Sequence, residues 1–434
     1  MSLARTARAP TPTTVPRVAR GWLRPSTARS SRVGTRVELA LASFGLFICT
    51  GLPERLVPSE FRLVKHAFYA WIMCLLLLRW RATLRVATRD LALCCFAILL
   101  VSSALWSELP VWAFKRGAVM LQTTAFGLYL ASRFSLSQQL RALCFVLTLL
   151  LAALAASALL DPVGAFASPG HPGAFRGPLV HKNHVALLMA LAIPALLIQI
   201  RDAPRQRALF GAALAAALVF LVLAQSLGGR LVAAMLGAVV AAHSLLRPPR
   251  AWLLLVPTLV VALGTAAAVG GLLDGVLVAL GKDTTLTGRT EIWEQTLKML
   301  AERPLLGHST ASFWQLRIVA STGVWFSNAH NGYLQLLIDL GLIGFVTFVL
   351  QLLVSLVRSL AFAQRPEPAA LWPYCVTALV LVYNLVEVSV VEENSIVWVL
   401  YVSASFAVRS PGLRRPSLVD RPASLARSAR AVRA

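Results

Sequence analysis

Charged residues are scarce, at 14% of the 434-residue chain, where an ordinary soluble domain carries roughly 25%; that excludes a typical water-soluble enzyme. Acids are the scarcer sign, with 18 Asp+Glu against 41 Lys+Arg and a net charge of +23. Cysteine is also rare. Cys49, Cys74, Cys94, Cys95, Cys144 and Cys375 all fall in apolar runs, and none stands at metal-ligand spacing from a His or another Cys, so they read as small core or lipid-facing residues. There is no Walker A sequence, no HExxH, no GxSxG and no acidic DxD-type pair to hold a divalent metal for a nucleotide-sugar donor. No metal and no cofactor is expected.

What is abundant is apolar sequence, at 58% of residues. Apolar windows fall at roughly 37–53, 63–80, 91–106, 114–132, 141–160, 184–200, 207–225, 230–246, 251–273, 333–357, 371–391 and 394–408, each near the length that crosses a bilayer. The expected fold class is all-α: a polytopic integral membrane protein of about twelve transmembrane helices, or ten or eleven, since some windows are short and only Glu392 and Glu393 separate the last two. The expected divisions are a basic cytoplasmic tail (1–36), a transmembrane domain (37–408) and a second basic tail (409–434).

Excess positive charge invites a nucleic-acid reading, but its placement argues otherwise. Fifteen of the 41 basic residues lie in the two tails, with one aromatic residue, Trp22, among them and no repeated interleaving of aromatics to stack on bases, so no nucleic-acid partner is expected. With the N-terminus inside, 28 Lys and Arg fall on the inner side and 13 on the outer, five of the latter offset by acids of one long loop. This positive-inside bias predicts twelve spans with both termini cytoplasmic.

Two outer loops stand out by length. Residues 161–183 are rich in Gly and Pro, and residues 274–332 join spans nine and ten; loops this long are usually functional. In the second, the run from Gly288 to Arg303, stopped by Pro304, has helical periodicity. On a helical wheel Ile292, Trp293, Thr296, Leu297, Met299 and Leu300 share a face with Arg289, opposite Glu291, Glu294, Lys298 and Glu302. A guanidinium in the first helical turn, beside free N–H groups, makes a phosphate site; an Arg that snorkels or pairs with a loop acid is the equal alternative.

Other candidates lie on the same expected face. Arg230 follows Ser226-Leu227-Gly228-Gly229 near the membrane boundary, and reads as an interfacial anchor or a functional group. His330 and Asn331 open span ten, where His330 can accept a proton near neutral pH or act as a hydrogen-bonded cap. His181, Lys182, Asn183 and His184 open span six. Glu387, Glu392, Glu393 and Asp339 near spans ten to twelve read as ion-coupling carboxylates or, more often, as intramembrane polar contacts.

The run from Thr287 through Gly288, Arg289 and Trp293, then Pro304-Leu305-Leu306-Gly307, Ala329-His330-Asn331 and Gly341-Leu342-Ile343-Gly344 resembles the O-antigen ligase / Wzy polymerase superfamily over about residues 226–345. The departure is His308-Ser309, where that pattern has a residue followed by Gly. The resemblance implies a bacterial inner-membrane glycosyltransferase that takes glycan from undecaprenyl diphosphate on the periplasmic face. It implies diphosphate binding by Arg230 and Arg289, acceptor activation by His330, and substrate contacts from Lys182, His181 and Asn331. His181-Lys182-Asn183 after Phe175-Arg176-Gly177 is more similar to exopolysaccharide polymerases than to lipid A-core ligases.

The expected function is therefore polymerisation of exopolysaccharide or O-antigen repeat units, with the undecaprenyl-diphosphate-linked oligosaccharide, membrane lipids and other polysaccharide export or chain-length proteins as partners. An O-antigen ligase acting on lipid A-core, or a transferase acting on protein, is the alternative within the class. An anion or solute transporter is the alternative outside it, and would show midplane groups, broken helices and an internal repeat.

Overall fold

The computed structural model describes residues 32–245, 251–269, 289–310, 328–390 and 392–408. Most of both basic tails, most of the 274–332 loop, Ser312 within it, and the side chain of Arg289 lie outside the described residues. Contacts divide the chain into a unit ending at Glu38 and another running from Leu39.

Among the described residues the secondary structure is helical, with no strand. The principal helices are α1 (Arg32–Ile48), α2 (Pro58–Leu78), α3 (Leu91–Ser102), α4 (Pro110–Arg133), α5 (Leu136–Leu160), α6 (Lys182–Asp202), α7 (Arg207–Leu223), α8 (Leu227–Leu245), α9 (Ala251–Val269), α10 (Arg289–Leu300), α11 (Gly332–Phe362), α12 (Trp372–Tyr383) and α13 (Ile396–Val408). Each apolar window holds one of these helices, and α10 is the helix expected in the long loop. Six described helices are long and apolar enough to cross a membrane. Leu77, Leu78, Leu350 and Val357 stand exposed on the outward faces, a surface suited to lipid and not to water. The protein is a multi-pass membrane protein.

The last two helices differ from expectation. They are 12 and 13 residues long, shorter than the roughly 20 residues a simple span needs, and nearly all of their side chains are buried among other helices. Trp398 and Tyr401 of α13 lie with Phe348 of α11 in an aromatic cluster whose ring centroids are 5.7–6.2 Å apart. Beneath it, Gln351 of α11 donates to Asp90 at the start of α3 (3.0 Å) and lies 3.0 Å from Ser405 of α13, while Tyr401 donates to its carbonyl. This polar knot, with both Asp90 and Gln351 buried, ties three helices where lipid offers no competing partner.

The 371–391 window continues past the helix because its last third is also apolar. The chain turns instead at Asn384, whose Oδ1 accepts from the N–H groups of Ser389 (2.9 Å) and Val390 (3.3 Å). That turn takes Glu387 out of a helix and places it at the helix ends.

α11 is broken at Gly341, whose backbone (φ 62°, ψ −164°) lies outside any helical region and is open in practice to glycine alone. The break frees two amides. Leu342 N–H donates to Pro304 O (2.8 Å) and Ile343 N–H to Leu305 O (3.2 Å), while His308 N–H donates back to Ile338 O (2.8 Å). The Pro304–Gly307 and Gly341–Gly344 motifs are thus two halves of one clamp. The loop half is pinned further by Trp106 Nε1–H to Leu306 O (3.1 Å) and by Arg303 to Glu108 (3.4 Å).

The clamp holds α10 against the start of α11. Ile292 packs with Ala329, Leu334 and Ile338, and Trp293 Nε1–H donates to Ala329 O (2.8 Å). Ile292 and Thr296 are buried, while Glu294 and Lys298 form an exposed pair at 2.7 Å. The apolar face is narrower than the wheel implies, since Leu297 is exposed.

Candidate functional site

α11 begins with a cap. Asn331 Oδ1 accepts from the N–H groups of Tyr333 (3.0 Å) and Leu334 (3.1 Å), and its Nδ2 donates to Leu385 O (3.3 Å). The capping role weighed for His330 therefore belongs to Asn331, whose amide is committed within the protein at both ends. The next residue is Gly332, where a Cβ would lie 2.0 Å from Asn384 Oδ1; the missing side chain lets the α12 turn reach the α11 N-terminus.

His330 itself sits in the left-handed region at φ 48°, a conformation uncommon for a residue with a Cβ and frequent at functional sites. Its N–H donates to Asn328 Oδ1 (2.9 Å). The side chain turns toward Glu387, with Nδ1 3.1 Å from Oε2. The imidazole keeps 32% of its surface exposed and the carboxylate 14%, so the ring is reachable while its partner is shielded. An ionised carboxylate only accepts, which assigns the proton of a neutral ring to Nδ1.

Glu387 is held from the other side by α6. Asn183 Nδ2–H donates to Glu387 Oε1 (2.5 Å), and Tyr383 O–H donates to Asn183 O (3.1 Å). His181 caps α6, its Nδ1 accepting from Asn183 N–H (3.3 Å). Desolvation holds its imidazole below the ordinary value against the pull of Glu387's charge, with Lys182 and His330 acting in the same direction as desolvation. Glu392, in the same α12–α13 connection as Glu387, has its carboxyl pushed up to about 7 by desolvation, which outweighs Arg116's opposing charge, and Glu387 adds to the rise.

Lys182 connects this cluster to the α7–α8 turn. Its N–H donates to Ser168 Oγ (3.2 Å) and its Nζ to Gln225 O (3.5 Å). Gln225, at φ 52°, reaches Gly173 O (3.1 Å) through Nε2, and Phe175 N–H donates to Leu223 O (2.9 Å). The 161–181 segment is therefore laid across the end of α7. Five residues after Gln225, Arg230 is exposed, with Nη2 donating to Val222 O (2.7 Å).

His181, Lys182 and His330 thus come together at one end of the helices, with the Arg230 turn tied to them through Lys182. Arg289 opens α10, which packs beside His330's own segment. Sequence reasoning named Glu387 only among generic carboxylates and did not pair it with His330, nor give Asn183 a part. The signal was an ionisable residue inside an apolar window; the partner, 57 residues from it in the chain, was not visible.

A family model described as O-antigen ligase matches residues 212–349, a stretch that contains Arg230, Arg289 and His330 and stops short of Glu387. The exopolysaccharide production protein ExoQ of Rhizobium meliloti (strain 1021) is 26% identical over 167 residues, 36% of this chain and 38% of that protein. An uncharacterised protein of Haemophilus influenzae is 29% identical over 82 residues, 17% of this chain and 21% of the other. The matches span about two fifths and one fifth of those relatives' own lengths. Over residues 212–349, which carry the glycine clamp and the His330-bearing helix start, the chain is thus similar to the O-antigen ligase / Wzy-like superfamily.

Proposed function

We propose that this protein is a glycosyltransferase of the bacterial inner membrane that polymerises lipid-linked repeat units of an exopolysaccharide or O-antigen on the periplasmic face, drawing glycan from undecaprenyl diphosphate. The observation that carries the reading is the His330–Glu387 pair, a reachable imidazole on a shielded carboxylate within a cluster of basic residues. The relative named for exopolysaccharide production favours polymerisation over transfer to lipid A-core.

In the proposed reaction an acceptor hydroxyl oxygen attacks the anomeric carbon of the donor glycan. Its proton passes to His330 Nε2 as the new C–O bond forms. The bond from that carbon to the diphosphate oxygen breaks, and the electron pair leaves on the diphosphate. Arg230 and Arg289 take up the developing charge, a part for which the planar guanidinium fork is suited. Lys182 and His181 border the site and contact the glycan or diphosphate. Asn331 contributes by fixing the α11 start, its side chain being engaged in the cap.

Arg230→Lys and Arg289→Lys keep the charge and lose the fork. Each is expected to reduce polymer formation by about tenfold or more at normal protein level, with lipid-linked single repeat units accumulating. Full polymer in Arg289→Lys would make that arginine structural. Sidedness is read separately, in a background freed of its own cysteines. Ser312→Cys is expected to react with an impermeant maleimide added from the periplasm, and cysteines in either tail are not; labelling of the tails from outside contradicts the assigned topology.

A further inference from the structure

We infer that Glu387, anchored by Asn183, is the positioning residue of the acceptor-activating imidazole: it fixes His330 with the proton on Nδ1 and so keeps the Nε2 lone pair free for the acceptor hydroxyl. The inference rests on the reading of His330 just given and names the residues through which that ring is set.

Three features carry it. The two carboxylate oxygens have separate duties, Oε2 facing His330 Nδ1 at 3.1 Å and Oε1 receiving Asn183 Nδ2–H at 2.5 Å. A carboxylate bound at both oxygens, by α6 and by the segment that leads into α11, cannot rotate freely. Its anchor is itself anchored, because Tyr383 O–H donates to Asn183 O (3.1 Å) and Asn183 lies in the first turn of a helix that is otherwise deeply buried. Finally, the carboxylate is less than half as exposed as the imidazole, which orders the pair as support beneath and reacting ring above.

The charged and titratable groups around the pair fit this order. His181 and Lys182 face it from the start of α6, Glu392 lies on its α12–α13 side, and Arg116 of α4 acts on Glu392. When the acceptor proton reaches Nε2 the ring becomes an imidazolium, and the fixed negative charge of Glu387 stabilises it without taking the proton. A neutral amide in its place can present N–H to Nδ1, which drives the ring proton to Nε2 and blocks the base.

A carboxylate that only ties the α12–α13 turn to α6 and α11 is the competing explanation, and kinetics separates the two. The protein, in phosphatidylethanolamine/phosphatidylglycerol vesicles, is assayed with the lipid-linked repeat unit extracted from a strain lacking it. Glu387→Gln is expected to lower kcat by roughly 10²- to 10⁴-fold with the donor KM nearly unchanged. Glu387→Asp, which retains the charge, is expected to recover at least about tenfold of that loss. Should the Gln variant not assemble, Asn183→Ala, which removes the anchor of the carboxylate, decides: reduced kcat at unchanged KM supports the inference and wild-type kcat overturns it. Wild-type kcat in Glu387→Gln beside an inactive His330→Ala overturns this inference alone. Equal losses in the Gln and Asp variants, with KM rising as kcat falls, mark a structural tie and also overturn it. Full turnover in His330→Ala overturns the catalytic reading itself and this inference with it.

Discussion

His330→Ala is expected to lower turnover by roughly 10²- to 10⁴-fold, the contribution of a positioned general base. Donor binding is expected to survive, because in the proposed reaction the guanidinium groups and not the imidazole hold the diphosphate. Cells carrying the variant should accumulate lipid-linked single repeat units and lose high-molecular-weight polysaccharide. A ligase would instead leave long chains on the carrier, and loss of transport would leave neither product. The cap of α11 belongs to Asn331, so removing the His330 ring deletes no helix-capping bond. The variant should therefore reach the membrane in normal amounts. Normal polymer length would remove His330 from the chemistry.

Gly341→Ala is expected to have the largest effect on the folded protein. A Cβ there would lie 2.3 Å from both the carbonyl carbon and oxygen of Leu305, backbone atoms that cannot swing aside as a flexible side chain can. The φ of 62° with ψ of −164° adds conformational strain of order 1–3 kcal/mol, and the displaced loop loses the Leu342–Pro304 and Ile343–Leu305 bonds. The combined cost, about 3 kcal/mol or more, is a large part of the stability of any domain. The measurement is yield and melting temperature in detergent, with Gly237→Ala as the control, since no atom lies within 4 Å of a Cβ built there. A wild-type melting temperature in Gly341→Ala would show that the clamp is dispensable.

The same break bears on function class. A broken helix is one mark of a transporter when the free backbone groups line a ligand cavity. At Gly341 the freed amides are bound by the Pro304 and Leu305 carbonyls, so the break fastens a loop and leaves no open coordination there.

Much of the helical layout was legible because lipid and core burial impose long apolar windows. α5 and α6 begin and end within a few residues of their windows, helped by local signals such as the Ser135–Gln138 capping box. The helix in the long loop was legible from Pro304 and from its two-sided pattern. What composition could not separate was apolar helix from apolar turn. The residues after Tyr383 are nearly as hydrophobic as those before it, and only the Asn384 side chain, bonded to Ser389 and Val390, ends the helix.

The site was half legible for a related reason. His330 and Arg289 stand in runs with recognisable spacing, whereas Glu387 has no local motif and acquires its meaning from Asn183, 204 residues away. The departure at His308-Ser309 also acquires a physical reading. Ser309 sits at φ 73°, a position that glycine occupies without strain, so the chain keeps the turn and tolerates a side chain within it.

A polymerase of the proposed kind joins lipid-linked repeat units at their diphosphate ends. The most direct measurement is sizing of the glycans formed when the purified protein, in vesicles, is given only undecaprenyl-diphosphate-linked repeat unit. The expected result is a ladder spaced by one repeat unit, released undecaprenyl diphosphate in step with each bond formed, and neither product from His330→Ala. Unchanged single repeat units, or transfer only when lipid A-core is supplied, would contradict it.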